Sequence, residues 1–219
     1  VAINIKYIKD MMLLYAVTDR AWVGKQTLME QVEDAIKGGI TCVQLREKEL
    51  DQEAFLAEAM EMKALCSRYG VPLIINDNVE IAIKCNADGI HVGQKDMETG
   101  SVRSLVGDNM IIGVSVQTVE QALAAEKAGA DYLGVGAVFS TKTKLDANTI
   151  SHETLKEICK AVSIPIVAIG GISKSNILEL SGTGVDGAAL VSAIFGVIDI
   201  ELECKSLRLL SQKMVKSEQ

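Results

Sequence analysis

The chain has 219 residues, enough for a substantial core and, at about 150 residues per domain, for one domain or two. Hydrophobic residues make up 48% and charged residues 23%, with 18 glycines and only 2 prolines, which excludes bulk disorder and collagen-like or linker-rich architectures. The 29 acidic residues against 22 basic ones give a net charge of −7 and exclude binding to nucleic acid or an acidic membrane through overall charge.

Taken in chain order, short aliphatic runs alternate with stretches of helical periodicity. Met11-Met12-Leu13-Leu14-Tyr15-Ala16-Val17 follows two lysines, as a signal peptide's apolar segment would, but it leads straight into Thr18-Asp19-Arg20 and reads as a strand. Eight strands are predicted: Leu13–Val17, Cys42–Leu45, Leu73–Ile75, Gly89–Val92, Ile111–Val114, Tyr132–Val135, Ile166–Ile169 and Ala188–Val191. These runs are continuously apolar rather than alternating, as parallel strands covered on both faces require. Between them, apolar residues fall at helical spacing: Leu28, Val32, Ala35 and Ile36; Phe55, Ala59, Met62 and Leu65; Val119, Leu123, Ala124 and Ala128; Leu155, Ile158, Cys159 and Val162. Leu202–Met214 reads as a terminal helix that packs through Leu207, Leu209 and Leu210. No run reaches the roughly 18 apolar residues of a membrane span. The cysteines, Cys42, Cys66, Cys85, Cys159 and Cys204, are odd in number and form no CxxC pair, which favours reduced thiols in a cytoplasmic protein over a disulfide framework or a zinc site.

The joints between helices and strands repeat. Ala35-Ile36-Lys37-Gly38-Gly39-Ile40, Ala82-Ile83-Lys84-Cys85-Asn86-Ala87-Asp88-Gly89 and Ala125-Glu126-Lys127-Ala128-Gly129-Ala130-Asp131 each close a helix and start a strand. Pro72 and Pro165 stand just before strands, where they interrupt no ladder. Eight strand–helix units at this length predict an α/β fold, a single TIM (β/α)8 barrel domain over residues 1–219, with the barrel at about 11–199 and a closing helix at about 201–215. A doubly wound sheet is the alternative, but it would carry a glycine-rich fingerprint where Thr18-Asp19-Arg20 stands.

In such a barrel the chemistry sits in the loops at the carboxyl ends of the strands. From the second strand onward these positions hold Gln44, Arg46, Glu47 and Lys48; Asn76 and Asp77; Gln94, Lys95 and Asp96; Ser115; Thr141, Lys142, Thr143 and Lys144; Gly170 and Gly171; and Ser192. A basic mouth on an acidic body implies a small anionic ligand. Gly170-Gly171 and the helix opened by Ser192 suit a phosphate, or else make only a tight turn. Asp77 and Asp96 end neighbouring strands and suit Mg²⁺, which takes one or two carboxylates with substrate phosphates. Asp77 equally suits the N-cap of a helix over Val79–Ile83, and Asp96 an ordinary loop acid. Lys48 and Lys144 suit phosphate binding better than a Schiff base, which needs a desolvated amine. His91 reads as a hydrogen-bonded barrel histidine, His152 as an inert surface residue, and Tyr15 and Trp22 either frame the mouth or only pack.

Gln44-Leu45-Arg46-Glu47-Lys48, Ile75-Asn76-Asp77, Gly89-Ile90-His91-Val92-Gly93-Gln94-Lys95-Asp96, Gly113-Val114-Ser115, Phe139-Ser140-Thr141-Lys142-Thr143-Lys144, Ile169-Gly170-Gly171-Ile172 and Val191-Ser192 resemble, in order, the motifs of the thiamine-phosphate synthase family. The resemblance spans about Leu13 to Phe195. It implies a Mg²⁺-dependent transferase of thiamine biosynthesis that joins hydroxymethylpyrimidine diphosphate to hydroxyethylthiazole phosphate, releasing pyrophosphate. It also implies site residues. Gln44, Leu45, Arg46, Glu47, Lys48, Asn76, Ser115 and Lys144 would hold the pyrimidine diphosphate, with Arg46, Lys48, Ser115 and Lys144 as the catalytic set. Thr141, Lys142, Thr143, Gly171, Val191 and Ser192 would hold the thiazole phosphate, and Asp77 and Asp96 the metal. The chain departs from the family at Ala137 and Ser140, where prolines are frequent, and at Asn78. Three other readings stand beside this one: a thiazole tautomerase of the same fold, which would lack the Arg-Glu-Lys and paired-Asp set; a non-catalytic phosphate-binding barrel; and a Schiff-base aldolase. The expected partners are small phosphorylated molecules, with a homo-oligomer left open.

Overall fold

A computed structural model describes residues 4–94, 99–140 and 149–216. In chain order the elements are α1 (Ile5–Met12), β1 (Leu14–Val17), α2 (Leu28–Lys37), β2 (Cys42–Leu45), α3 (Gln52–Tyr69), β3 (Leu73–Asn76), α4 (Val79–Lys84), β4 (Gly89–Val92), α5 (Thr99–Val106), β5 (Ile111–Val116), α6 (Val119–Lys127), β6 (Tyr132–Val135), α7 (His152–Ala161), β7 (Ile166–Ile169), β8 (Gly187–Leu190), α8 (Ser192–Phe195) and α9 (Ile200–Lys216). Short 3-10 turns stand at Arg20–Trp22 and Ile177–Leu180. Each strand pairs in parallel with the next and β8 pairs with β1, closing a barrel of eight strands. All eight predicted runs are strands, with β5 running on to Val116 and β8 stopping at Leu190.

Alternate strand residues face opposite sides. Leu14, Ala16, Val43, Leu45, Leu73 and Ile75 belong to the large cluster between barrel and helices. Tyr15, Val17, Cys42, Ile74, Ile111, Tyr132, Val167 and Ala189 fill the barrel interior. One expectation is corrected at the start of the chain: Met11 and Met12 end α1 and do not begin a strand. Asn4 caps that helix by accepting from the Lys6 amide, and Ile8, Met11 and Met12 join the interior cluster. They therefore plug the amino-terminal end of the barrel, so the opposite end alone is left to open. Helix α9 packs on α2 and donates from Ser211 Oγ to the Leu13 carbonyl and from Arg208 to the Gly39 carbonyl (2.6 Å).

The repeated joints have a common function at the barrel floor. One residue before each even-numbered strand, a side-chain oxygen accepts an amide of the preceding odd strand: Thr41 from Leu14 (2.8 Å), Asp88 from Leu73 (2.8 Å), Asp131 from Ile112 (2.8 Å) and Asp186 from Ile166 (2.9 Å). The same four residues return their own amides to the carbonyls of those partners at 2.7–2.9 Å. Each aspartate is also ion-paired, Asp88 with Lys63, Asp131 with Arg103 and Asp186 with Lys9. These clamps satisfy strand-start amides that the barrel ladder leaves over.

Asp131→Ala removes the acceptor of the Ile112 amide and the ion pair to Arg103, so it is expected to cost about 1–3 kcal/mol in urea unfolding. Asp108→Ala, at an exposed loop position before β5, is expected to cost less than about 0.5 kcal/mol. Equal effects would show that the clamp does not hold the floor.

Candidate active site

The open end of the barrel is built by the last inward-facing residue of each strand and the loop beyond it. On β2, Gln44 faces inward and its Nε2 donates to the Tyr15 hydroxyl at 2.9 Å. On β3, Asn76 is in register with His91 of β4, and on β5 Ser115 places Oγ 2.8 Å from His91 Nε2. Gln44, Asn76 and Ser115 therefore share the upper wall of the barrel. Leu45 does not. Its side chain points outward into the barrel–helix layer and is fully buried there, so its expected ligand contact is corrected to its main chain at most.

The loop after β2 is held rigidly. The Arg46 amide donates to Thr18 Oγ1 (3.0 Å), and the guanidinium lies 3.7 Å from Asp19. Glu47 is corrected from ligand contact to loop anchor, because both its oxygens are engaged. Oε2 accepts from Arg20 Nε (2.9 Å) and NH2 (2.6 Å), and Oε1 accepts from the amides of Lys48 (2.9 Å) and Glu49 (3.0 Å). Burial disfavours its ionised form, but the Arg20 bonds and the two amides outweigh burial and hold the carboxyl down at about 2. Arg20 also reaches Glu58 at 2.6 Å, whose carboxyl is pushed up by burial. Arg20 is not among the residues that the sequence singles out, although a signal for it exists. Arg46 stands out because it directly follows a strand, and Arg20, three residues past the end of β1, lies in the equivalent loop of the neighbouring strand.

The loop end thus anchored carries Lys48, whose amine is ion-paired with Asp77 at the end of β3. Lys48 is half-exposed and paired, not a desolvated amine, which removes the basis for reading it as a Schiff-base lysine. The N-cap reading of Asp77 is overturned. Asn78 caps α4, its Oδ1 accepting from the Ile81 amide at 3.0 Å. Asp77 instead adopts φ of 62°, a left-handed conformation that aspartate tolerates better than most residues, with its amide held by the His91 carbonyl at 2.8 Å. Its carboxylate is thereby turned to the mouth and Lys48. A groove of about 500 Å³ opens between the two loops, lined by Lys48, Asn76 and Asp77 and, further out, by Gln52, Phe55 and Glu80.

Across the mouth, Gly170 and Gly171 end β7 with φ of 102° and 67°. A Cβ on Gly171 would collide with the Ser140 carbonyl and lie 2.8 Å from Phe139 Cβ. The loop after β6 is strapped to this turn by the amides of Val138 and Phe139, which donate to the Ile169 and Gly170 carbonyls at 3.0 Å. Gly171 is therefore required by the backbone and by that loop, whatever it binds. Val191 follows β8, and Ser192 opens α8 with no side-chain cap. Asp96, Thr141, Lys142, Thr143 and Lys144 lie outside the described residues.

Burial pushes the Cys66 and Cys204 thiols up to about 12 and also raises the Cys42 thiol well above its ordinary value. His152 stacks edge-on against Phe139. Tyr15 does not frame the mouth: it lies wholly inside the barrel. Among the described residues no three His, Cys, Asp or Glu side chains gather as a metal cluster, and no helix is long and apolar enough to cross a membrane.

The thiamine monophosphate synthase family profile matches residues 14–194. The chain is 50% identical over 194 residues to the thiamine-phosphate synthase of Clostridium tetani, which covers 89% of this chain and 93% of that one. It is equally identical over 194 residues to that of Ruminiclostridium cellulolyticum, covering 89% and 92%. A solved thiamine phosphate pyrophosphorylase from Pyrococcus furiosus superimposes with a TM-score of 0.88 at 37% identity, over 95% of this chain and 99% of that one. A solved hexulose-phosphate synthase, at 17% identity and a TM-score of 0.64, shares the fold alone.

The Glu47 anchor has a pH signature. Its folded value, about 2, lies below the ordinary 4.5, so its contribution is complete above pH 4.5 and is lost as pH falls toward 2. The difference in unfolding free energy between wild-type protein and Glu47→Gln is expected to narrow across that window in urea titrations at stepped pH. A constant difference would mean that the ionised carboxylate is not what anchors the loop.

Proposed function

The chain belongs to the thiamine monophosphate synthase family, and on that footing we propose that it joins hydroxymethylpyrimidine diphosphate to hydroxyethylthiazole phosphate, giving thiamine phosphate and pyrophosphate. The observation that carries the reading is the open end of the barrel. Gln44, Asn76 and Ser115 offer polar atoms inside it, and Arg46, Lys48 and Asp77 sit on rigid loops at its rim. A flat aminopyrimidine suits the former and its diphosphate the latter. A cytoplasmic setting belongs to the same proposal, both substrates being small phosphorylated molecules.

The bond changes need no proton transfer. The C–O bond between the pyrimidine methylene and the diphosphate breaks, its electron pair leaving with pyrophosphate. The aminopyrimidine delocalises the positive charge left on carbon, and the thiazole nitrogen supplies the pair that forms the new C–N bond. The protein must therefore stabilise growing negative charge on the leaving group and hold both rings in line, and fixed cations do the first. Arg46 and Lys48 serve this role, with Lys144 from the loop after β6. His91 has both ring nitrogens engaged, with Tyr132 and Ser115, and supplies no general base.

The donor set also fits a hard divalent ion. Asp77 is relieved of helix capping by Asn78 and presents its carboxylate at the rim, and Mg²⁺ is typically held by one or two carboxylates and substrate phosphates. Asp77 and Asp96 would hold it, and when bound it would neutralise charge on the departing pyrophosphate. The thiazole phosphate is assigned to the turn at Gly171, the start of α8 at Val191 and Ser192, and the Thr141–Thr143 segment with Lys142.

Thiamine phosphate is expected to form from the two precursors only with a divalent cation. Asp77→Asn and Arg46→Ala are each expected to lose at least about 100-fold in kcat/KM while unfolding normally. Full turnover in excess chelator, or wild-type kinetics in both variants, would reject the metal and leaving-group assignments.

A Gly171 variant would disturb the adjoining loop as well as a phosphate, so the thiazole subsite is better tested by charge. Ser192→Asp is expected to raise KM for the thiazole phosphate about tenfold or more and to leave KM for the pyrimidine diphosphate within about twofold. Equal rises for both substrates would place the phosphate elsewhere.

A further inference from the structure

We propose that Tyr15, Tyr132 and His91 are positioning residues for this reaction: they relay hydrogen-bond donation in one direction from Gln44 to Ser115, so that the Ser115 hydroxyl is left to donate into the mouth. The role rests on the function proposed above; the direction of the relay rests on the barrel interior alone.

The atoms form one continuous chain. Gln44 Nε2 lies 2.9 Å from the Tyr15 hydroxyl, which lies 2.8 Å from the Tyr132 hydroxyl. That hydroxyl is 2.9 Å from His91 Nδ1, and His91 Nε2 is 2.8 Å from Ser115 Oγ. An amide nitrogen only donates, and a phenol has a single proton. Tyr15 therefore accepts from Gln44. Its own proton can go to the Tyr132 hydroxyl at 2.8 Å or to the Cys42 sulfur, and because sulfur is the weaker acceptor it donates to Tyr132. Tyr132, having accepted, donates to His91 Nδ1. Nδ1 is then the bare nitrogen of a neutral imidazole, and the ring proton sits on Nε2 and points at Ser115. Ser115 Oγ accepts, and its proton is directed away from His91.

The surroundings enforce this order. Tyr15 and Tyr132 are buried in the apolar interior cluster, and burial pushes both phenols well above their ordinary value, so both keep the proton they pass on. Around the barrel, His91 is in register with Gly113 and Gly113 with Tyr132, so the missing side chain on β5 is what lets the two rings meet. A Cβ at Gly113 would overlap the Tyr132 ring and lie 2.5 Å from His91 Nδ1. Gly134 leaves room on the other side, a Cβ there falling 3.0 Å from His91 Cε1. An aliphatic filling would pack this interior without any polar atoms to satisfy. The chain needs every member in place, and its outward end is a hydroxyl in the upper wall. A ring nitrogen of an aminopyrimidine is an acceptor and meets that hydroxyl as a donor; the exocyclic amine would not. An oriented donor anchors the ring before reaction, so its loss acts on binding more than on turnover.

The chain has 2 histidines, so nitrogen-15 histidine labelling of the intact protein gives a two-residue NMR spectrum. His91 is expected as the Nε2–H tautomer in wild type and in Ser115→Ala, and as a mixture of tautomers in Tyr132→Phe. In steady-state kinetics Tyr132→Phe is expected to raise KM for the pyrimidine diphosphate about tenfold, with KM for the thiazole phosphate within about twofold and kcat within about threefold. Tyr15→Phe is expected to show the same pattern, smaller. An Nδ1–H tautomer in wild type overturns the direction of the relay. Equal KM rises for both substrates, or a loss of stability with unchanged KM, overturns the positioning role. Wild-type protein that turns over neither precursor overturns the proposed function instead, and the tautomer still decides the relay.

Discussion

Closure of the barrel is the constraint on which the rest of the molecule depends. Once β1 is bonded to both β2 and β8, every strand has lost its freedom to slip by one residue, because a slip would turn the aliphatic face of the strand inward and the interior face outward. That is why Leu45 and Gln44, adjacent in sequence, have opposite fates. One is sealed beneath the helices and the other is committed to the interior. Closure also leaves only two ends. Helix α1 fills one with Ile8, Met11 and Met12, and the side-chain clamps before the even-numbered strands tie it shut. The other end remains, and there the polar side chains gather.

The interior is not filled as economically as it could be. Two phenols, an imidazole and an amide occupy space that branched aliphatic side chains fill in most barrels of this kind. Burying such groups is tolerable only when each finds a partner, and here each does, at the further expense of glycines at 113 and 134. The compensation is a rigid polar column rising from the floor to the upper wall. The same pattern of anchoring recurs in the loop after β2, where Arg20 and two backbone amides absorb the whole of Glu47, which leaves Arg46 and Lys48 to face the rim beside Asp19 and Asp77.

Much of this is legible in the sequence, and the failures have physical causes. The strands are visible because doubly covered parallel strands are continuously apolar. The same signal hides the end of α1, since Met11 and Met12 run on into Leu13 without a break in hydropathy, and a helix that plugs a barrel is as apolar as the strand it precedes. Asp77 and Asn78 are both competent caps, and only the backbone decides between them; the positive φ at Asp77 puts Asn78 at the helix start. Glu47 looks like part of a ligand motif because its neighbours are, and nothing local shows that Arg20, distant in sequence, claims it. Gln44, Tyr15, Tyr132 and His91 are likewise spread over four strands, and their meeting depends on register that a linear reading does not contain.

The division between buried and exposed polar groups follows from the chemistry. A displacement that breaks a C–O bond and forms a C–N bond without moving a proton has no use for a titrating side chain at its centre. It needs charge that stays fixed as the leaving group departs, and Arg46 and Lys48 on the braced loop after β2 supply it. It also needs a ring held still, which calls for donors and acceptors whose direction cannot change. Placing the histidine beneath the surface, with both nitrogens engaged, converts a group that elsewhere serves as a base into a strut. Raising the buried thiols out of the range of reactivity removes competing nucleophiles from a protein whose substrate generates a reactive carbon centre. On this view the barrel and the rim are separate instruments: the barrel sets orientation through neutral hydrogen bonds, and the rim sets rate through charge.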